Sequence, residues 1–400
     1  MNQQELTAFL QAVLRERLGL PALQVVGVKG LGAAADFGRA SSDEKWRMLK
    51  YAPDRPDDVE GVLPLEISFR VDGPAPHQVG VLLKARTRRT IGEGLLPDTI
   101  QAVGLELPQL YASYRSARET VGHPEREIEL YRLQPTVPAL QRYLPRYLGD
   151  HVDPARNDYL LVEQLVDDGI LLDSADDVSG WTPAYIDAAL SGIGAIHGAW
   201  YGQDQWLATQ RWLPLRLTTD DIVADTPLWE ALAAFVRARF PDMMSPQAHA
   251  RRLAIIQRIA DWHAVKDAMP HTLVHDDFNP RNCGLRPLAG ELALVAYDWE
   301  LTLVDVPQRD LVELLTFTLT DEAPRDQVDA HVERHRTSLA AAAGRPVPAD
   351  IWLEGLRCEL YLEAINRVPL QWVLHARYPS RYVVRINRAL EHLLDLYADL

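Results

Sequence analysis

Cysteine is scarce in this sequence. Cys283 and Cys358 are the only two among 400 residues, and neither belongs to a CxxC pair or lies near a pair of histidines. Zinc sites and disulfide frameworks both need closely grouped ligands, so neither is indicated. We expect both cysteines to be buried free thiols.

Long apolar runs are also missing. The longest stretches, such as 291–297 (ELALVAY), fall far short of the roughly 20 residues that a membrane-spanning helix needs. The first 20 residues have no basic head and no unbroken apolar block, and they place Leu6, Leu10 and Leu14 on one side of a surface helix. We therefore expect a cytoplasmic protein that does not contact a membrane.

Basic residues are fewer than acidic ones. The chain has 41 Lys and Arg against 56 Asp and Glu, which gives a formal net charge of −15. Nucleic acid is an unfavourable partner, because binding to its phosphates needs clustered Lys and Arg. The acidity could attract a cationic substrate or could simply favour solubility, and solubility is the commoner reason.

The length and the pattern of the chain predict two domains. Four hundred residues exceed what one hydrophobic core usually organises. Up to about residue 165 the pattern favours strands, as in 65–71, 79–86 and 159–165, with a helix at 125–133. Beyond it, apolar residues recur at helical spacing. We predict an α+β protein with an antiparallel sheet in 1–165 and a mostly helical domain in 166–400.

One segment of the helical half carries the chemistry. Two strand-like pieces, CGLR and ELALVAY, form a predicted hairpin joined through Pro287 and Gly290. HDDFNPRN (275–282) precedes the hairpin and DWE (298–300) follows it, which gives H-x-D-x-x-x-x-N and then a strand that ends in Asp. Phosphoryl transfer from MgATP needs a carboxylate for the acceptor hydroxyl and oxygen ligands for magnesium. We assign Asp277 as the catalytic base, and Asn282 and Asp298 as magnesium ligands.

Each of these residues also has a simpler interpretation. Asp277 and Asn282 could cap turns around Pro280. We interpret His275 as a structural histidine tethered to nearby backbone. Asp310 could cap a helix or hydrogen-bond back to the 275–282 loop.

The segment resembles the catalytic loop of the aminoglycoside phosphotransferase and choline kinase superfamily, which includes ecdysteroid-kinase-like proteins. That loop usually reads HGDxxxxN, and Asp276 stands here where Gly is frequent. The resemblance implies a bilobal, protein-kinase-like fold, use of ATP and Mg²⁺, and transfer of a phosphate to the hydroxyl of a small molecule. Candidate acceptors are an antibiotic, an amino alcohol or another hydroxylated metabolite.

The resemblance extends to the first half of the chain. Lys84, at the end of VGVLLK, corresponds to the lysine that reaches the α and β phosphates. Its expected carboxylate partner is Glu127, four residues before Tyr131, whereas Glu129 projects to another face and is predicted to be solvated.

Two nucleotide-binding segments are implied as well. Glu163, Gln164 and Leu165 resemble the hinge whose backbone reads adenine. The phosphate-covering loop is either the segment with Gly30 and Gly32 or the one with Gly61, and the sequence does not choose between them.

Three classes of function are compared. A protein kinase is disfavoured because only 11 residues (299–309) separate Asp298 from Asp310, which is too short an activation segment to bind a polypeptide. A nucleotide-binding regulator without turnover would be suggested by loss of Asp277, Asn282, Asp298 or Lys84, and all four are present. A small-molecule kinase is therefore favoured. The tryptophans within 200–229 could line its acceptor pocket, although core packing is the commoner role.

Overall fold

A computed structural model describes residues 3–31, 61–73, 75–86, 95–103, 107–118, 124–166, 169–170, 172, 175–214 and 216–399. The chain divides into two compact units, Met1–Arg89 with Gly122–Gly169, and Thr90–Val121 with Ile170–Leu400. The predicted domain boundary after residue 165 lies near the later division, and residues 90–121 group with the second unit.

The strands of the described residues are β1 Gln24–Gly30, β2 Gly61–Arg70, β3 His77–Arg86, β4 Tyr147–Asp153, β5 Asp158–Gln164, β6 Thr272–Val274, β7 Cys283–Leu288, β8 Glu291–Ala296 and β9 Leu303–Asp305. The α-helices are α1 Gln3–Leu18, α2 Leu95–Val103, α3 Leu107–Arg118, α4 Pro124–Leu133, α5 Pro138–Tyr143, α6 Pro183–Gly198, α7 Asp204–Leu207, α8 Thr219–Ala224, α9 Thr226–Arg239, α10 Pro246–Gln257, α11 Ile259–Asp267, α12 Gln308–Thr318, α13 Arg325–Ala343, α14 Ala349–Leu362, α15 Val368–Arg377 and α16 Tyr382–Tyr397. Short 3-10 turns cover Gln134–Thr136 and Trp299–Leu301, and a π-helical turn covers Glu363–Arg367.

The first unit is built on an antiparallel sheet of five strands in the order β1-β2-β3-β5-β4. Helix α1 packs on one face through Leu6, Leu10 and Leu14, as its spacing predicts. Side chains alternate between the two faces of a strand. Leu83 and Ala85 of β3 join the core under α1, so the side chain of Lys84 projects to the opposite face.

The second unit is mostly helical and contains two small sheets. Strand β6 pairs with β9, and β7 pairs with β8 in the predicted hairpin. The turn of the hairpin is Ala289–Gly290, both with positive φ, whereas Pro287 lies inside β7. The prediction that Pro287 forms part of the turn is therefore wrong. Two-residue hairpin turns need left-handed backbone, and glycine adopts it without strain.

Helix α6 supports the hairpin through a close contact at Gly192. A Cβ atom at this position would lie 2.4 Å from Cβ of Leu294 in β8. Only glycine lets the helix and the strand approach this closely. The strand that leads to Asp298 is therefore seated directly on a buried helix.

The sheet of the first unit and the helices of the second confirm the predicted α+β class. None of the described helices has the length and apolar character that crossing a membrane requires.

Candidate active site

The loop at 275–282 leaves β6 and gathers its polar side chains on Asp277. The Asn282 Nδ2 donates to Asp277 Oδ2 at 2.6 Å and to the Asp277 carbonyl at 2.8 Å. Asn279 Nδ2 lies 3.0 Å from the other carboxylate oxygen, Oδ1. Two of the three residues assigned to catalysis and metal binding therefore touch each other.

The hairpin brings the third residue, Asp298, back to the same loop. Cys283 pairs with Ala296, and the Tyr297 N–H donates to the Asn282 carbonyl at 3.0 Å. Asp298, the next residue, is buried and has a left-handed backbone at φ +68°. Asn282 and Asp298 thus lie at the adjoining ends of two paired strands, as the spacing predicts.

Asp310 braces the loop from the first turn of α12. Its carboxylate accepts the N–H of His275 at 2.7 Å and that of Asp276 at 3.0 Å, and His197 Nε2 lies 2.9 Å from Oδ2. Burial by itself would raise the pKa of Asp310, but the hydrogen bond and charge of His197 and the contacts with His275 outweigh it and lower the pKa. Of the two roles considered for Asp310, the hydrogen bond back to the loop is the one observed.

His275 has the structural role expected of it. Its Nε2 lies 2.9 Å from the Tyr297 carbonyl, and its ring packs on Trp299 with 4.4 Å between centroids. The side chain is fully buried. These contacts tie the start of the loop to the end of β8.

Asp276 occupies a left-handed position, with φ +64°. Asp and Asn tolerate this region better than most residues, which explains how the loop forms without the glycine that is frequent here. The Asp276 carboxylate pairs with Arg309, and its carbonyl accepts Arg367 Nη2 at 2.5 Å. One arginine thus holds the side chain of Asp276 and another holds its backbone.

A polar ring around Asp277 was not anticipated from the sequence. Arg367 Nη2 lies 3.0 Å from Asp277 Oδ1 and 2.9 Å from both carboxylate oxygens of Glu313. Asn279 Nδ2 bridges the same two carboxylates, at 3.0 Å from Asp277 and 3.1 Å from Glu313. Glu313 lies 36 positions after Asp277 and Arg367 lies 90 after it. No local pattern in the sequence marks either residue as a partner of Asp277.

The charges of the ring shift one another's pKa values. Burial raises the pKa of Glu313, and the nearby Asp277 adds to this while Arg367 opposes it. Burial lowers the affinity of Arg367 for its proton, yet Glu313, Asp276 and Asp277 outweigh this and raise its pKa. The guanidinium therefore stays charged.

A second set of buried charges underlies the first. Lys266 Nζ lies 2.8 Å from Asp305 and 2.6 Å from Glu359, while Arg309 contacts both of these carboxylates and Asp276. Burial would raise the pKa of Asp305, but Lys266 and Arg309 outweigh it and hold the pKa well below its usual range. The loop thus rests on a buried network of ion pairs.

In the first unit, Lys84 and Glu127 form the predicted pair. Lys84 Nζ lies 2.5 Å from Glu127 Oε1 and 3.7 Å from Glu163 Oε1, and all three side chains are buried. Lys84 also pairs in register with Leu161 of β5. Glu129 instead pairs with Arg132 in a partly exposed bridge, which agrees with its predicted solvation.

The hinge residues lie at the end of β5. The N–H of Gln164 donates to the Arg146 carbonyl at 2.9 Å, and that of Leu165 donates to the Gly80 carbonyl at 3.1 Å. Recognition of adenine by the backbone of this segment stays a prediction. For these two N–H groups to bind adenine, their present hydrogen bonds would have to break.

The glycine segments remain only partly described. Gly30 ends β1 and pairs with Leu65, while Gly32 lies outside the described residues. Gly61 begins β2 with φ +121°. The choice between the two candidate phosphate loops stays open.

Two tryptophans of the predicted acceptor region are core residues. Trp200 is buried and stacks on Trp206 with 6.0 Å between centroids, and Trp229 is fully buried with its Nε1 donating to the Ile222 carbonyl at 3.1 Å. Packing accounts for these side chains without a ligand.

The side-chain oxygen atoms of Asn282 and Asp298 are suitable ligands for magnesium. Mg²⁺ prefers hard oxygen ligands and usually takes one or two from protein, the rest coming from phosphates and water. The Asn282 Nδ2 is committed to Asp277, so its amide oxygen is the atom left to face a cation. Among the described residues there is no group of three or more His, Cys, Asp or Glu placed to hold a metal by themselves.

Comparison with known proteins gives similarity of structure alone. No protein-family model matches the chain, and no curated protein is similar to it. The choline kinase LicA from Streptococcus pneumoniae aligns over 98% of this chain and 99% of its own, with 12% identity and a TM-score of 0.44. A choline kinase from Cryptosporidium parvum aligns over 98% and 95%, with 9% identity and a TM-score of 0.47.

An aminoglycoside phosphotransferase is also among the similar structures. The APH(3'')-Id enzyme from Streptomyces rimosus, solved with ADP and streptomycin, aligns over 75% of this chain and 90% of its own, with 18% identity and a TM-score of 0.37.

Proposed function

We propose that the protein is an ATP-dependent phosphotransferase that moves the γ-phosphate to a hydroxyl of a small molecule. The observation that carries the proposal is the arrangement at the hairpin. Asp277 is hydrogen-bonded to Asn282 at 2.6 Å, and the paired strands return Asp298 beside Asn282. A base next to two oxygen ligands is what phosphoryl transfer from MgATP requires.

Each residue has a defined part in this reaction. Asp277 orients the acceptor hydroxyl and receives its proton. Asn282 and Asp298 hold the magnesium, which when bound neutralises charge on the phosphates. In the first unit, Lys84, held by Glu127, contacts the α and β phosphates, and Glu163, Gln164 and Leu165 contact adenine.

A small acceptor fits the chain better than a polypeptide. Residues 299–309 are taken up by the 3-10 turn, by β9 paired with β6, and by the start of α12. A protein kinase needs a longer segment at this point to bind its substrate. We therefore propose a hydroxylated metabolite, an amino alcohol or an antibiotic as the acceptor. We also propose that the protein acts in the cytoplasm.

The alternative is a nucleotide-binding regulator without turnover. It would need the same nucleotide contacts but no aligned base. The direct contacts of Asp277 with Asn279 and Asn282 favour the enzyme, because a regulator has no requirement to orient this carboxylate.

The test is a screen of hydroxylated metabolites and antibiotics with MgATP, read by mass spectrometry as the gain of one phosphate. With an acceptor found, Asp277→Asn should lower kcat by a factor of about 10³ or more, because the base is lost. Its affinity for ATP should stay near that of the wild type. Strong ATP binding with no transfer to any acceptor would favour the regulator, and normal turnover of Asp277→Asn would remove Asp277 from the mechanism.

A further inference from the structure

A guanidinium, that of Arg367, bonds the Asp277 carboxylate from 90 positions further along the chain. Its Nη2 contacts Asp277 Oδ1 at 3.0 Å, the Asp276 carbonyl at 2.5 Å and both oxygens of Glu313 at 2.9 Å. With Asn279 bridging the same two carboxylates, the four side chains close a ring. Both donors of the ring act on the Oδ1 atom, while Asn282 donates to Oδ2.

We propose that Arg367 is a positioning residue that fixes the orientation of the Asp277 carboxylate through this ring. The inference rests on the proposed function, since it gives Asp277 a reaction to serve. A carboxylate on a loop can rotate about its Cβ–Cγ bond, because the torsion angle of that bond has a broad, roughly two-fold distribution. Donors on Oδ1 and a different donor on Oδ2 distinguish the two oxygens and select one orientation.

The backbone that carries Arg367 explains how it reaches the loop. Glu363–Arg367 is a π-helical turn between α14 and α15, and Pro369 follows it. A π-helical turn shifts the side chains that follow it relative to the α-helix before it, and such turns occur frequently at functional sites. Neighbouring Asn366 anchors the same turn by donating to the Tyr114 hydroxyl at 3.0 Å.

The ring is better suited to arginine than to lysine. The guanidinium is planar and always charged, and it can serve several acceptors with fixed geometry. Here it spans two carboxylates and one carbonyl. All of these contacts converge on Nη2, whose two N–H groups are held in the plane of the guanidinium, whereas a freely rotating ammonium would keep the charge without fixing the direction of its donors.

Glu313 is the second carboxylate of the ring. It is buried on α12 and bonds both donors of the ring. Its charge offsets that of Arg367, so the arginine orients Asp277 without being drawn fully onto it. Arg367 and Glu313 should therefore act as a unit.

Steady-state kinetics of Arg367→Ala and Arg367→Lys tests the inference. A misplacement of about 1 Å costs on the order of 100-fold in rate, so Arg367→Ala should lose about that factor in kcat with little change in the KM for ATP. Arg367→Lys should fall between it and the wild type. Free guanidinium ion, added far below denaturing concentration, should restore kcat of Arg367→Ala at least in part.

The control is Arg252→Ala, which removes another buried arginine that pairs with a carboxylate, Glu391, away from this loop. It should lower stability without lowering kcat, and guanidinium should not raise its rate. In addition, the double variant Glu313→Gln with Arg367→Ala should be no slower than Arg367→Ala alone, because the ring is already open.

Three outcomes overturn the inference. One is a wild-type kcat in Arg367→Ala. Another is a loss of activity that guanidinium does not restore and that parallels a loss of stability like that of Arg252→Ala. The third is that the wild type transfers phosphate to no acceptor. That result would refute the proposed function itself, and this inference would be lost with it.

Discussion

Single residues of the loop adopt backbone conformations that their side chains must offset. Asp276 and Asp298 both have positive φ, at +64° and +68°. Such positions cost most residues of order 1 kcal/mol or more and persist where the surroundings hold them. Asp276 lies in the loop before the hairpin and Asp298 lies just after it, so strain and proposed chemistry coincide.

Asp298→Asn tests the metal assignment without adding backbone strain, because Asn also tolerates the left-handed region. The variant removes one negative charge from the proposed magnesium site. Calorimetry should show that magnesium no longer strengthens ATP binding, whereas Asp350→Asn, an exposed control at the start of α14, should behave as the wild type. Unchanged dependence on magnesium in Asp298→Asn would refute the assignment.

Glu363 gives a prediction on pH. Burial, with the charge of Glu313, raises its pKa to about 8, compared with about 4.3 in an unfolded chain. Between these values the folded state keeps a proton that the unfolded state loses, so this contribution to the free energy of unfolding is complete below about pH 4 and is lost as pH rises through about 8.

Glu363→Gln cannot ionise, so its stability relative to the wild type should increase from about pH 5 to about pH 8, by up to about 1.4 kcal/mol per pH unit. Urea unfolding at several pH values measures this difference. Glu354→Gln, at an exposed position of α14, is the matched control and should show no such trend. A pH-independent difference for Glu363→Gln would contradict the prediction.

At the scale of elements, the hairpin depends on its contact with α6. Gly192→Ala should lower the free energy of unfolding by about 1–3 kcal/mol, because its Cβ would lie 2.4 Å from Cβ of Leu294. Chemical denaturation measures this loss. Gly73→Ala is the control, since its Cβ meets no atom within 4 Å. Equal stability of the two variants would mean that the hairpin moves away from α6 at little cost.

The elements were predictable from the sequence wherever the pattern was local. The strand pattern predicted β2, β3 and β5, helical spacing predicted α1, and the H-x-D-x-x-x-x-N spacing predicted Asp277 and Asn282 as partners in one site. Arg367 and Glu313 could not be predicted, because their contacts with Asp277 span 90 and 36 positions and depend on how α12 and the π-helical turn pack.

The exact position of the hairpin turn was the other feature that the sequence did not predict. The sequence indicated a hairpin but assigned Pro287 to its turn, because proline favours turns. Pro287 instead lies in β7 opposite Leu292, and Ala289 and Gly290 form the turn. Turn chemistry at the two central positions decides such cases.

For the whole molecule, the net charge predicts that nucleic acids do not bind. With a formal net charge of −15, electrostatic attraction to phosphates is absent as a general driving force. We expect no binding of duplex DNA or of single-stranded RNA at about 0.15 M salt, the physiological ionic strength. Fluorescence anisotropy of labelled oligonucleotides measures this, and binding that weakens steeply with salt would contradict it.

Both thiols of the protein are buried, and burial raises the pKa of Cys358 to about 12 and that of Cys283 further still. Neither should react readily with alkylating labels, since the thiolate is the reactive form. A cysteine introduced at the exposed Glu291, at the tip of the hairpin, would then be labelled selectively. A fluorophore there would report movement of the hairpin tip in real time, with the native cysteines left in place.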